Sequence, residues 1–105
     1  MKIIRNNILP FRGFSAMNLF GILFVKGNSP VSEKTMNHEM IHTAQWKELW
    51  YIGFLLWYLI EWIIKMPTGD SYRNLSFERE AYENDKNLNY LEGREPFAFM
   101  NYLKQ

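Results

Sequence analysis

The chain has no cysteine among its 105 residues, which excludes disulfides and thiolate-ligated metals alike. It has little net charge: 12 lysines and arginines against 11 aspartates and glutamates leave +1. The basic residues are scattered, so nothing favours nucleic acid or another polyanion as a partner. Histidine is scarce, with two in the whole chain. No uninterrupted apolar run reaches the roughly 18 residues that mark a membrane-spanning helix. The opening residues, MKIIRNNILPFRGF, lack the apolar core and small-residue cleavage site of a secretory signal. A cytoplasmic or membrane-associated protein is therefore expected. Its length predicts a single domain over residues 1–105, with one modest core.

Aromatic side chains are what it has in excess, at 17%, and all four tryptophans fall between positions 46 and 62. Residues 49–64, LWYIGFLLWYLIEWII, hold one charge, Glu61. As a helix they would be about 24 Å long, against a hydrocarbon core of roughly 30 Å. Trp46, Trp50, Phe54, Trp57 and Glu61 form one stripe, and Tyr51, Leu55, Tyr58 and Trp62 form a second. The pattern predicts a central helix with both stripes in the core. The competing uses of residues 46–64 are contact with a membrane surface or with a second copy, and Gly53 is a candidate break.

Before this segment, short apolar runs are interrupted by Asn6, Asn7, Pro10, Gly13, Gly21 and Gly27. They read as strands, best at 19–25, LFGILFV, in a small antiparallel hairpin or sheet. A helix is expected after Ser32, an N-cap residue, with Glu33 in its first turn. The aromatic helix should stop at Lys65 or Met66, ahead of Pro67. A third helix is expected from Ser76, with Phe77, Ala81, Leu88 and Leu91 as its apolar stripe and Gly93 at its end. The fold class is therefore α+β: a small N-terminal sheet, then a mainly helical core.

Both histidines lie in one short stretch, His38-Glu39-Met40-Ile41-His42. Residues four apart share a helix face, so two imidazoles can converge on one ion. The intervening glutamate is rotated away, where it can take a proton from water without ligating the metal. In shuffled chains of this composition such a motif arises roughly once in 500. Zinc needs at least three protein ligands, and with no further histidine or cysteine the third must be a carboxylate or water. SFEREAY, about 36 residues on, offers Glu78 and Glu80, which point about 200° apart on a helix, so only one can face the site.

HExxHxxQ, with Gln45, followed by Glu78-Arg79-Glu80-Ala81, resembles the gluzincin-type zincin metallopeptidases, especially short members reading HExxHxxQ and later EREAD. The resemblance covers residues 36–82. It implies one zinc ion held by His38, His42 and Glu78 (Glu80 being the runner-up), with Glu39 as general base and a peptide or protein as substrate. The family's aspartate that holds a ligand histidine from behind is replaced here by Tyr82, leaving Glu80, Asp85 or Tyr82 itself for that task. Tyr72, Arg73, Arg79 and Tyr82 are the candidate donors to a developing oxyanion. An edge strand such as 19–25 would hold an extended substrate. The missing aspartate and the small size motivate an alternative: a zinc-stabilised interaction module without catalysis.

Overall fold

The computed structural model describes residues 2–6, 16–27 and 30–103. The turn formers Asn7, Pro10 and Gly13 lie outside these residues. The α+β expectation holds: three strands, β1 (Ile3–Asn6), β2 (Ala16–Leu19) and β3 (Ile22–Lys26), form one sheet, and the rest is mostly helical. The sheet order is β1-β3-β2. β2 and β3 are antiparallel, as expected of a hairpin, whereas β1 runs parallel to β3 and makes the sheet mixed.

The stretch 19–25 is therefore not one strand. Leu19 pairs with Ile22 across a two-residue turn, Phe20-Gly21. Both residues have positive φ, 56° and 81°, the geometry that matches the twist of hairpin strands. Asn18 Oδ1 accepts the Gly21 N–H at 3.0 Å and closes the turn. β3 is consequently the central strand, with Leu23 and Val25 fully buried, and β2 is one of the two edges.

Helix α1 (Glu33–Glu48) starts as expected, Ser32 Oγ accepting the Thr35 N–H at 3.1 Å. Helix α2 (Ile52–Lys65) is separated from it by a sharp corner of 109°. The break falls at Trp50 and Tyr51, with φ of 58° and 60°, and not at Gly53. Positive φ at a bulky residue costs on the order of 1–3 kcal/mol and persists only where its surroundings impose it. Here Tyr51 N–H bonds to the Trp46 carbonyl at 2.9 Å and Trp50 N–H to that of Lys47 at 3.1 Å.

Past a 3₁₀ turn at Met66–Thr68 come α3 (Ser71–Asn74), α4 (Ser76–Asn84), α5 (Tyr90–Gly93) and a 3₁₀ segment, Ala98–Tyr102. α4 is shorter than the expected helix, so Leu88 falls beyond it and is exposed, while Phe77 and Ala81 are fully buried. Ser76 is not its cap. The cap comes from α2: the buried Glu61 carboxylate accepts the Ser76 N–H at 2.8 Å and the Ser76 hydroxyl at 2.8 Å. A carboxylate there also suits the positive helix end.

The core is aromatic. Trp46 stacks on Phe54 with centroids 4.1 Å apart, Phe54 meets Phe77 at 4.4 Å, and Phe77 meets Phe99 at 4.7 Å. Such pairs contribute about 0.5–1.5 kcal/mol each beyond their buried area. α2 is not buried all round, however. Phe54 and Glu61 face inward, but most of its aliphatic side chains face outward. Among the described residues, no single helix is long and apolar enough to cross a membrane.

Candidate metal centre

α1 packs across the start of α4, which brings three donor atoms together in a buried place. His38 Nε2 and His42 Nε2 are 3.2 Å apart, His42 Nε2 and Glu78 Oε1 3.2 Å, and His38 Nε2 and Glu78 Oε1 3.4 Å. All three residues are buried, and they form a group able to hold a metal ion. Ligands at 2.0–2.2 Å from a tetrahedral ion are separated by about 3.3–3.5 Å. The triangle is close to one face of that tetrahedron.

Both imidazoles are held from behind. His38 Nδ1 lies 3.0 Å from Asp85 Oδ2, and a carboxylate can only accept, so Nδ1 carries the proton. His42 Nδ1 lies 2.8 Å from Gln45 Oε1. The Gln45 amide is oriented by its Nε2, which faces two acceptors, the Phe77 carbonyl at 3.1 Å and Glu80 Oε1 at 2.9 Å. Hence His42 Nδ1 donates as well. Each ring is left with Nε2 directed at Glu78, the arrangement a metal-binding histidine requires.

Asn37, immediately before His38, fixes the segment that supplies Asp85. Its Nδ2 lies within hydrogen-bond reach of the carbonyls of Asn84, Asp85 and Asn87 at 3.4, 3.0 and 2.9 Å. Asp85 is 2% exposed, and its Oδ1 has no hydrogen-bond partner among the described residues. Tyr82, at the position where the resembled family has aspartate, packs its ring edge-on to His38 at 4.6 Å and receives the Arg73 guanidinium on its face at 4.9 Å.

Glu80 is turned away from the donor triangle, as the rotation of two residues along a helix requires. It is fully buried and bonded to Tyr90 Oη at 2.6 Å and Arg94 Nε at 2.5 Å, besides Gln45. Burial alone would raise its pKa, but the Arg94, Tyr90 and Gln45 hydrogen bonds lower it. Arg94 goes on to Glu48 with bonds of 2.8 and 3.1 Å. A chain of polar contacts thus runs from His42 through Gln45 and Glu80 to Arg94. Arg79 donates to the Tyr102 carbonyl at 2.8 Å, on the α4 side that meets the C-terminal 3₁₀ segment.

Charge within the triangle is strongly coupled. Burial alone would lower His42, yet the Glu78 charge and hydrogen bond hold it up at about 10. Burial alone would raise Glu78, yet the His42 charge and both imidazole hydrogen bonds draw it down to about 2. Without an ion, the pair is a buried imidazolium and carboxylate.

Beside the triangle lies a cavity of about 330 Å³, into which Glu39, His42 and Glu78 face. Burial raises the pKa of Glu39. Tyr58 and Tyr72 also line the cavity, and burial raises both phenols, keeping them protonated and able to donate. Tyr58 escaped the sequence reading because its position in an apolar stripe carried no polar signal. β2 forms another wall. Asn18 ties that strand to α1 through the Glu39 carbonyl at 2.9 Å and Thr43 Oγ1 at 3.0 Å. The edge strand at the site is therefore 16–19, and not 19–25.

The chain matches no protein-family model, no curated protein and no solved structure.

Proposed function

We propose that this chain is a small zinc-dependent peptidase. The observation that supports it most directly is the triangle of His38 Nε2, His42 Nε2 and Glu78 Oε1, with edges of 3.2, 3.2 and 3.4 Å, opening beside Glu39 on a cavity. Two imidazoles and one carboxylate suit zinc among the common divalent ions, and each imidazole has an acceptor behind it.

Zinc bound there supplies a Lewis acid that acidifies water and polarises a carbonyl oxygen. Glu39 accepts the proton of the attacking water as its oxygen bonds to the peptide carbonyl carbon. Glu39 then returns that proton to the leaving nitrogen as the C–N bond breaks. Tyr58 and Tyr72 line the same cavity, and their hydroxyls are the candidate donors toward the oxygen that gains charge. β2 pairs only with β3 among the described residues, so its outer edge offers free backbone groups to an extended peptide.

Glu39→Gln separates catalysis from metal binding. The substituted chain should keep one zinc per molecule and lose hydrolysis of a peptide library that the wild type cleaves. A wild type that binds zinc stoichiometrically and cleaves no member of the library overturns the peptidase reading. The alternative, a zinc-stabilised interaction module, would then stand, and the buried chain from His42 to Arg94 that ties the metal site to the core favours it.

A further inference from the structure

Every exposed residue of α2 is aliphatic except Trp62. Ile52, Leu56, Leu59, Ile60, Ile63 and Ile64 are each 58–66% exposed, and the first five of them recur on one side of the helix. Together with Trp50, 85% exposed at the α1–α2 corner, they form an apolar face on the order of 1,000 Å², well beyond the largest patch of a typical monomer. We infer that this face docks on a phospholipid bilayer, so that the metal site works at a lipid surface.

The composition of the face selects lipid over a protein partner. Protein interfaces carry about one hydrogen bond per 100–200 Å², whereas the exposed side chains of α2 offer one polar group, the Trp62 indole N–H. Acyl chains demand none. Tryptophans stand near both ends of the face, Trp50 at the corner and Trp62 in the last turn, as residues at headgroup depth do. The charges fit too. Glu61, the acid within α2, is turned inward onto Ser76, while the exposed cation Lys47 adjoins the Trp50 corner and complements anionic headgroups. Fourteen residues make a helix of about 21 Å, too short to span, so α2 lies along the surface.

The face also continues into the site. Leu55 and Trp62 are both exposed on α2 and line the cavity that holds Glu39, His42 and Glu78. The cavity therefore opens at the edge of the docked face.

The test uses the full chain with vesicles of phosphatidylcholine, alone or mixed with phosphatidylglycerol. Wild type should sediment with both, more strongly with the anionic mixture, and its tryptophan emission should shift to the blue. Ile60→Asp combined with Ile63→Asp, at two exposed positions, should lower partitioning by about 100-fold, roughly tenfold per side chain, without changing zinc stoichiometry. Acyl-chain-brominated phosphatidylcholine should quench the wild-type tryptophans, a readout that needs no variant. Wild type remaining in the supernatant, unquenched, with both vesicle types overturns the inference. So does a wild-type dimer that the double substitution dissociates while neither protein binds vesicles. Zinc titration of the same samples reports on the metal site separately, so failure of docking and failure of the metal reading are distinguished.

Discussion

Replacing Asp85 by asparagine removes one charge from behind His38 and little else. Asp85 is 2% exposed, and its Oδ2 accepts from His38 Nδ1 at 3.0 Å. An asparagine oxygen can take the same hydrogen bond in the same volume. The lost charge would stand across the ring, about 6 Å from a divalent ion on Nε2, where a single and a double charge attract by about 5–6 kcal/mol at an effective dielectric of 20. Part of that attraction is offset by keeping the carboxylate out of water. The expected loss of zinc affinity is therefore about 10–100-fold, or roughly 1.4–2.7 kcal/mol. Competition against a chromophoric chelator at fixed pH measures it, with circular dichroism to verify that the fold is retained. Zinc affinity within about twofold of wild type would refute the reasoning, because an imidazole held by Asp85 cannot lose its partner charge without weakening as a ligand.

Three further outcomes are expected. Glu61→Leu leaves the buried Ser76 N–H and hydroxyl without their acceptor, and should cost about 2–4 kcal/mol in urea unfolding; a loss below about 0.5 kcal/mol would contradict the capping role. Trp50→Asn places a residue tolerant of positive φ at a side chain 85% exposed, and should leave stability unchanged or raise it by up to about 1 kcal/mol; a clear fall in the denaturation midpoint would count against it. In the ion-free chain, raised His42 stabilises below 6.5 and loses this contribution as pH rises through about 10, while lowered Glu78 stabilises above 4.5 and loses its contribution as pH falls through about 2. His42 is thus protonated at pH 7, and zinc uptake there should release about one proton, with affinity weakening toward acid. Calorimetry in buffers of different ionisation enthalpy counts that proton, and a count near zero would contradict the buried pair.

The donor triangle was legible because its histidines are one turn apart and its carboxylates lie on a second helix, where rotation lets only one face inward. What identifies Glu78 over Glu80 is partly remote: Arg94, 14 residues beyond Glu80, anchors the other carboxylate away from the triangle. The carboxylate behind His38 was harder to place. It comes from Asp85, just past the end of α4, where Asn37 gathers the chain, rather than from the helix position that Tyr82 occupies. The apparent strand 19–25 hid a turn because Phe20, a good strand former, takes positive φ beside Gly21. Ser76 looked like a cap, but its true acceptor is Glu61, 15 residues back on another helix. The aromatic helix was expected in the core, yet a chain of this length has too small an interior to cover all sides of it. Phe54 and Glu61 face inward, and the aliphatic residues between them are left outside.

The central claim is that His38, His42 and Glu78 bind one zinc ion, and anomalous scattering at the zinc edge from crystals of the zinc-loaded chain tests it most directly. One strong peak should lie within about 2.0–2.2 Å of His38 Nε2, His42 Nε2 and a Glu78 oxygen, just off the centre of the triangle they form. No peak at these three atoms, or an ion held instead by Glu80 or by surface carboxylates, would contradict the account.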